Sequence, residues 1–314
     1  MDVWINGEFV EDTNARVSVF DAGLQHGVGL FETMAARNGS VFRLNTHIER
    51  LVTSAATLRL SERLEPEPLA QAVEKALAHS ERAEARIRLT LTGGDLNAIR
   101  HTGQGPSDPT IFIVVQPRTE YPETFFSEGI TAVLAPGRLN PWEWTSGHKT
   151  LNYWPRISAL QMAAGMGAGE ALWLTPDALV ASGSVSNLFL IKGDQLITPA
   201  AQGSQGINEI APPVLPGITR QAVIELAAAS GMEVIHNMPT LDDVADADEC
   251  FLTNSSWHVL PMTSLGVAVR GEADEEPHLE QRPIGDGTVG GRTADLRAAI
   301  LELIERETGQ VAAQ

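Results

Sequence analysis

Among its 314 residues the chain has one cysteine and three lysines, and only 5% of its residues are aromatic. Each scarcity excludes something. The lone thiol, Cys250, forbids an internal disulfide and any cysteine-rich zinc site, and no metal is expected. Its neighbours in ECFLTN suggest a buried strand thiol rather than a catalytic one, and the cytoplasm is the default compartment. With so few aromatics, alanine, leucine and valine must fill the core of a chain that is 43% apolar. No run of about 18 apolar residues occurs, so no membrane span is expected. The acidic start MDVWINGEFVEDTN lacks the basic-then-apolar order of a signal peptide. Basic residues are outnumbered 22 to 40, and the net charge of −18 argues against nucleic acid or an anionic membrane as partner. It says nothing against a small anionic ligand, which feels only local charge.

Because lysines are rare, each can be placed. Lys75 sits in LAQAVEKALAHS, on the wet face of a helical pattern, and Lys192 at the polar tip between two strand-like runs. Lys149 differs: in TSGHKTLNYWPR it lies between a flexible Ser146-Gly147 pair and the run Leu151-Asn152-Tyr153-Trp154. Lost hydration there would favour a neutral, nucleophilic amine. Such amines form Schiff bases with carbonyl compounds and with pyridoxal phosphate. A loop-end lysine paired with a carboxylate fits this stretch equally well.

The length suggests two domains or one large one. Residues 1–20 read as a short hairpin turning at Asn6-Gly7. Gly23, Gly27 and Gly29 form a loop before a strand that ends near Ala36; their spacing is not a dinucleotide fingerprint and reads as room for tight backbone. NTHIERLVTSAATLRL is helical, with Asn45 or Thr46 as cap, Glu49 as capping-box partner and Arg50 beside the apolar face. A second helix is expected over Pro66–His79, then a strand with Ile87, Leu89 and Leu91 inward and Arg86 and Arg88 outward. Pro117 and Pro122 bracket a linker at 118–123, which separates an N-terminal α/β domain (1–117) from a C-terminal domain (124–314). Strands alternate with helices in both halves, an α/β class.

If Lys149 carries pyridoxal phosphate, the cofactor needs a phosphate cradle, a partner for its ring nitrogen and a cation for the substrate carboxylate. Pro216-Gly217-Ile218-Thr219 opens a helix with unpaired N–H groups. Asn254-Ser255-Ser256 offers loop hydroxyls, and Arg50 a planar clamp. Taken singly these read as a cap, a turn and a helix-flank ion pair.

The motifs WINGEFV, GLFETM, HIERL, HKTLNYW, GAGEALWLT, GSVSNLFLI, LPGITR, DECFLTNSS and IGDG follow in order along nearly the whole chain. In this series the chain resembles the class IV aminotransferases. These are the fold-type IV pyridoxal-phosphate enzymes, which include branched-chain and D-amino-acid aminotransferases and 4-amino-4-deoxychorismate lyase. The resemblance implies a smaller N-terminal α/β domain, a larger C-terminal domain with a barrel-like sheet, and a homodimer. It makes Lys149 the Schiff-base lysine and proton shuttle, with Arg50, Ile218, Thr219, Ser255 and Ser256 on the phosphate and Phe31 beside the ring. Arg88, with Arg100 or His101, is expected on the substrate carboxylate. The implied reaction is ping-pong transamination between a branched-chain-like amino acid and a 2-oxo acid. Thr33, in FETM, points instead to the lyase, because that branch of the family places a functional threonine there.

One position departs from the pattern. The family places a glutamate before the Gly-Ser of GSVSN, to hold the ring nitrogen protonated; here it is Ser182. Three outcomes are open. Glu170 or Glu209 moves in, the ring works neutral with slower or different chemistry, or the protein binds the cofactor with catalysis weakened or lost. The neutral ring is the reading adopted.

Overall fold

The computed structural model describes residues 2–95, 109–204, 210–269 and 278–309. It has a mixed α/β fold that divides into two units. One takes the chain up to Thr119, His148–Asn152 and the chain from Leu303 on; the other takes Glu120–Gly147 and Tyr153–Glu302.

The first unit is built on a six-stranded antiparallel sheet in the order β2-β1-β6-β5-β3-β4. Its strands are β1 (Asp2–Ile5), β2 (Glu8–Glu11), β3 (Gly29–Arg37), β4 (Ser40–Val41), β5 (Ala85–Thr92) and β6 (Ile111–Pro117). The N-terminal hairpin turns at Asn6-Gly7 as expected, with both residues at positive φ. After the short helix α1 (Ala22–His26) and β3 come two longer helices, α2 (Leu44–Thr57) and α3 (Pro66–His79). They cover one face of the sheet and bury Ile48, Leu51, Val73 and Leu77 against Met34, Ile87 and Leu89.

Helix α3 has the predicted bounds, with proline in its first turn. The start of α2 does not. It begins at Leu44, its N-cap is Arg43 with φ 52°, and no side chain caps it, so the Asn45 or Thr46 cap and the Glu49 capping box are not formed. The left-handed turn that brings the chain out of β4 sets the entry instead.

The second unit holds a nine-stranded sheet in the order β12-β11-β10-β13-β14-β7-β8-β9, with β15 on β14. The strands that matter below are β7 (Ile130–Arg138), β8 (Glu170–Leu174), β9 (Val180–Gly183), β10 (Asn187–Lys192), β13 (Glu249–Asn254) and β14 (His258–Val269). The others are β11 (Gln195–Thr198), β12 (Glu233–His236) and β15 (His278–Pro283). The helices are α4 (Thr124–Ser127), α5 (Trp154–Gly165), α6 (Ile218–Ala229), α7 (Leu241–Ala245) and α8 (Gly291–Gly309), the last of which is counted with the first unit from Leu303 on.

In this order β9 lies five places from β10, yet only residues 184–186 separate them in the chain. Five spacings of a flat sheet are about 24 Å, and so few residues reach at most about 14 Å. The sheet must therefore curl, and it forms a half-barrel. Cys250 is buried on β13, where burial pushes its thiol well above the usual range. Among the described residues no helix is long and apolar enough to cross a membrane.

Candidate active site

In the first unit β3 organises the chemistry. Strand alternation turns Leu30, Glu32 and Met34 toward α2, and Phe31 and Thr33 the other way. Glu32 is thus a carboxylate at a core position, 1% exposed. Helix α2 answers it from one turn with His47 and Arg50. The Arg50 Nε and Nη2 donate to its two oxygens at 2.8 and 2.6 Å, and His47 Nδ1 lies 2.8 Å from Oε2. Burial pushes the Glu32 carboxyl up, but the Arg50 charge and the His47 bond outweigh it and hold the group down to about 2. Burial also keeps the His47 imidazole below its ordinary value, against the pull of Glu32. Sequence reasoning passed over Glu32 and His47. The available signal was a charge between Leu30 and Met34 in an alternating strand, which demands a partner.

Residues 148–152 lie along the edge of β3. Phe31 N donates to Lys149 O (3.0 Å), Leu151 N donates to Gly29 O (2.9 Å), and Leu30 faces Thr150 in an antiparallel bridge. His148 Nδ1 reaches Ser54 Oγ of α2 at 2.9 Å and ties this strap to the helix. The Lys149 Nζ sits 4.6 Å from the centroid of the Phe31 ring, and the Arg88 guanidinium 3.8 Å from the same centroid. Arg88 pairs with Thr33 in the β3–β5 register. Lys149, Phe31, Thr33 and Arg88 are therefore brought together in one cluster. Arg50 is anchored on the α2 side by Glu32.

Gly29 is what lets the strap approach. A Cβ there would lie 2.4 Å from the Leu91 carbonyl oxygen and 2.6 Å from Leu151. Gly29→Ala is expected to cost about 1–3 kcal/mol by overpacking, read from urea unfolding. An unchanged midpoint would show that the strap absorbs the methyl group.

In the second unit the curl of the sheet is locked by Glu170. Its Oε1 accepts from Ala171 N (2.9 Å) and Ser184 N (3.1 Å), and its Oε2 from Val185 N (3.3 Å) and Ser186 Oγ (2.8 Å). Burial pushes this carboxyl up, with the four hydrogen bonds opposing. Glu170 is thus committed to the β9–β10 turn and does not replace the missing glutamate at 182; Glu209 lies outside the described residues.

The same turn carries the two anion-suited elements. Val185 O accepts from Asn254 Nδ2 (3.3 Å), and Asn254 Oδ1 accepts from Ser256 N and Trp257 N, which shapes the loop that bears Ser255 and Ser256. Asn187 Nδ2 donates to Leu215 O (2.9 Å), which sets the start of α6. A Cβ on Gly217 would clash with Asn187 Oδ1, so a larger residue at this N-cap would have to displace the Asn187 amide that holds Leu215 O. No side chain caps the helix, and buried Ile218 and Thr219 open it. Arg220, one residue on, donates to Pro199 O (2.9 Å), and burial holds its guanidinium down to about 10. Ser182 is buried on β9, where Arg156 Nη1 of α5 approaches its Oγ at 3.4 Å. Arg100 and His101 lie outside the described residues.

Comparison with known proteins places these observations. The family described as Amino-transferase class IV matches residues 29–265. A putative branched-chain-amino-acid aminotransferase of Methanocaldococcus jannaschii is 35% identical over 84% of this chain and 88% of its own length. A D-alanine aminotransferase of Listeria monocytogenes is 31% identical over 99% of both chains. Among solved structures, a T.th. branched-chain amino acid aminotransferase with pyridoxamine 5'-phosphate superposes with a TM-score of 0.82 at 26% identity, covering 99% of this chain and 95% of its own. On the family match and these relatives, the chain belongs to the class IV aminotransferases, a family of pyridoxal-phosphate enzymes.

Proposed function

We propose that this chain is a pyridoxal-phosphate aminotransferase that moves an amino group between a branched-chain-like amino acid and a 2-oxo acid. Lys149 is the amine that joins the cofactor. The observation that carries the reading is the strap along β3, which holds that lysine over an aromatic ring beside a second cation. The residues suit the cofactor: a primary amine at an aromatic face, and an uncapped helix start with no space for a Cβ at Gly217, suited to a phosphate. When bound, pyridoxal phosphate supplies the carbonyl carbon and the electron-withdrawing ring.

The chain's own residues do the rest. Lys149 Nζ would take the substrate's α-proton and hold it for delivery to the carbon that had carried the cofactor's carbonyl. Arg88 offers a guanidinium to the carboxylate, and Phe31 and Thr33 pack beside it. Arg50, Thr219, Ser255 and Ser256, with the Ile218 backbone, hold phosphate. Phe112 and Val114, in register with Thr90 and Arg88 on that sheet face, make an apolar continuation suited to an aliphatic side chain. Thr33 beside Arg88 also favours a second reading, the 4-amino-4-deoxychorismate lyase reaction.

The test is an absorbance scan of purified protein with candidate amino donors, then borohydride reduction and peptide mapping. L-leucine with 2-oxoglutarate should shift the cofactor band, and the adduct should map to Lys149. Pyruvate release from aminodeoxychorismate without that shift would favour the lyase. No adduct on Lys149 would overturn both.

The proposal extends to a cytoplasmic homodimer. Trp142, Trp144 and Trp154 are 63%, 66% and 80% exposed, a cost in water that a second copy would remove. Sedimentation velocity should give a species of twice the chain mass, and Trp154→Lys should move it toward the monomer.

A further inference from the structure

The Ser182 position supports an inference beyond the transaminase reading, on which it rests. We propose that Arg156 and Ser182 together keep the cofactor's ring nitrogen unprotonated. Ser182 is 4% exposed, so water does not substitute freely for its missing carboxylate. Its Oγ receives Arg156 Nη1, and the same nitrogen donates to Gly183 O (3.0 Å) and Ser184 O (3.2 Å). The guanidinium is therefore fixed to the backbone at the serine's own strand end. Among the described residues no carboxylate pairs with Arg156, and the buried acid of this region, Glu170, has both oxygens in the β9–β10 turn.

The consequence is a matter of donors and acceptors. A protonated ring nitrogen is a donor, and is stabilised by an anion. Here it would meet a hydroxyl whose oxygen already accepts from a cation. That hydroxyl has one hydrogen left to give, and a ring nitrogen with its lone pair intact is the partner that takes it. The nearby positive charge opposes a second one on the ring. Arg156 acts through Ser182 and through charge, as a positioning residue.

The experiment uses holoenzyme reconstituted with pyridoxal phosphate labelled with ¹⁵N in the ring. The ¹⁵N shift is followed from about pH 5.5 to 9, on both sides of neutrality, in wild type, Arg156→Gln, Arg156→Lys and Ser182→Glu. Wild type is expected to show the unprotonated shift throughout. Arg156→Gln should gain a protonation step about one pH unit or more above any in wild type, and Arg156→Lys, which keeps the charge, should stay closer to wild type. Ser182→Glu should show the protonated shift at neutral pH. A protonated signal in wild type at neutral pH overturns the proposal whether or not the variants fold, and so does an Arg156→Gln titration that coincides with wild type. If no cofactor joins Lys149 at all, the transaminase reading fails and this inference with it. A bound cofactor with a protonated ring nitrogen sinks only the inference.

Discussion

Lys149→Ala is expected to lower transamination by ~10³-fold or more, because one amine serves as both nucleophile and proton carrier. The fold should survive. The bonds that hold the strap to β3 are made by the backbone of residues 149 and 151, and alanine makes them equally well. What goes is the side chain over Phe31, half-buried and 4.6 Å from the ring centroid. A change within about 1 kcal/mol in unfolding free energy is therefore expected. Steady-state turnover of L-leucine with 2-oxoglutarate, beside a urea titration of the same preparation, checks both halves. Activity within about tenfold of wild type, far short of the loss expected of a nucleophile, would remove Lys149 from the chemistry. Lost activity with lost stability would show that the side chain is structural.

Glu32→Gln is expected to destabilise the chain by about 3 kcal/mol, because it removes the Glu32 charge from its pairing with Arg50 in a largely buried place. The Arg50 side chain keeps 12% of its exposure, which is why the lower end of the usual range applies. The sign of the pH dependence follows from the same cluster. The folded-state value of Glu32, about 2, lies below its ordinary 4.5. Its contribution is complete above pH 4.5 and is lost as the pH falls toward 2. His47 adds to this from higher pH: its folded-state value is held below 6.5, so acidification under that value favours the unfolded chain. Urea midpoints measured from about pH 7 down to about pH 3 should fall in wild type. In Glu32→Gln the part of the fall below pH 4.5 should be smaller. Equal slopes in the two proteins would show that the carboxylate is not held ionised by its partners. Cofactor affinity should weaken in the same variant, since the amide keeps a single acceptor oxygen and Arg50, the proposed phosphate clamp, loses one of the two bonds that orient it.

How far the sequence could be read depends on the distance over which each feature is decided. Helix α3 is bounded as expected because proline at its start and apolar spacing along it are local facts. The outward Arg86 and Arg88 of β5 follow from strict alternation, and their neighbours Ile87 and Leu89 are fully buried. The hairpin at Asn6-Gly7 is equally local. The start of α2 departs from expectation for the opposite reason. Thr46 and Glu49 offer a sound capping box, but the turn out of β4 places Arg43 in the left-handed region and begins the helix earlier. A few tenths to about 2 kcal/mol of capping energy does not outweigh the path the sheet imposes.

The sequence by itself determined the series of strands and helices, the isolation of Lys149 among arginines, and the motif order that identifies the family. These depend on neighbours a few residues apart, where the backbone period alone sets which side chains share a face. Only the tertiary structure decided that Glu32 is gripped by Arg50, 18 residues away, that Glu170 serves the β9–β10 turn and not residue 182, and that Arg156 stands at Ser182, 26 residues on. These partners meet because one sheet must pack against α2 and the other must curl to join β9 to β10, and no local period encodes which charges such closures bring together.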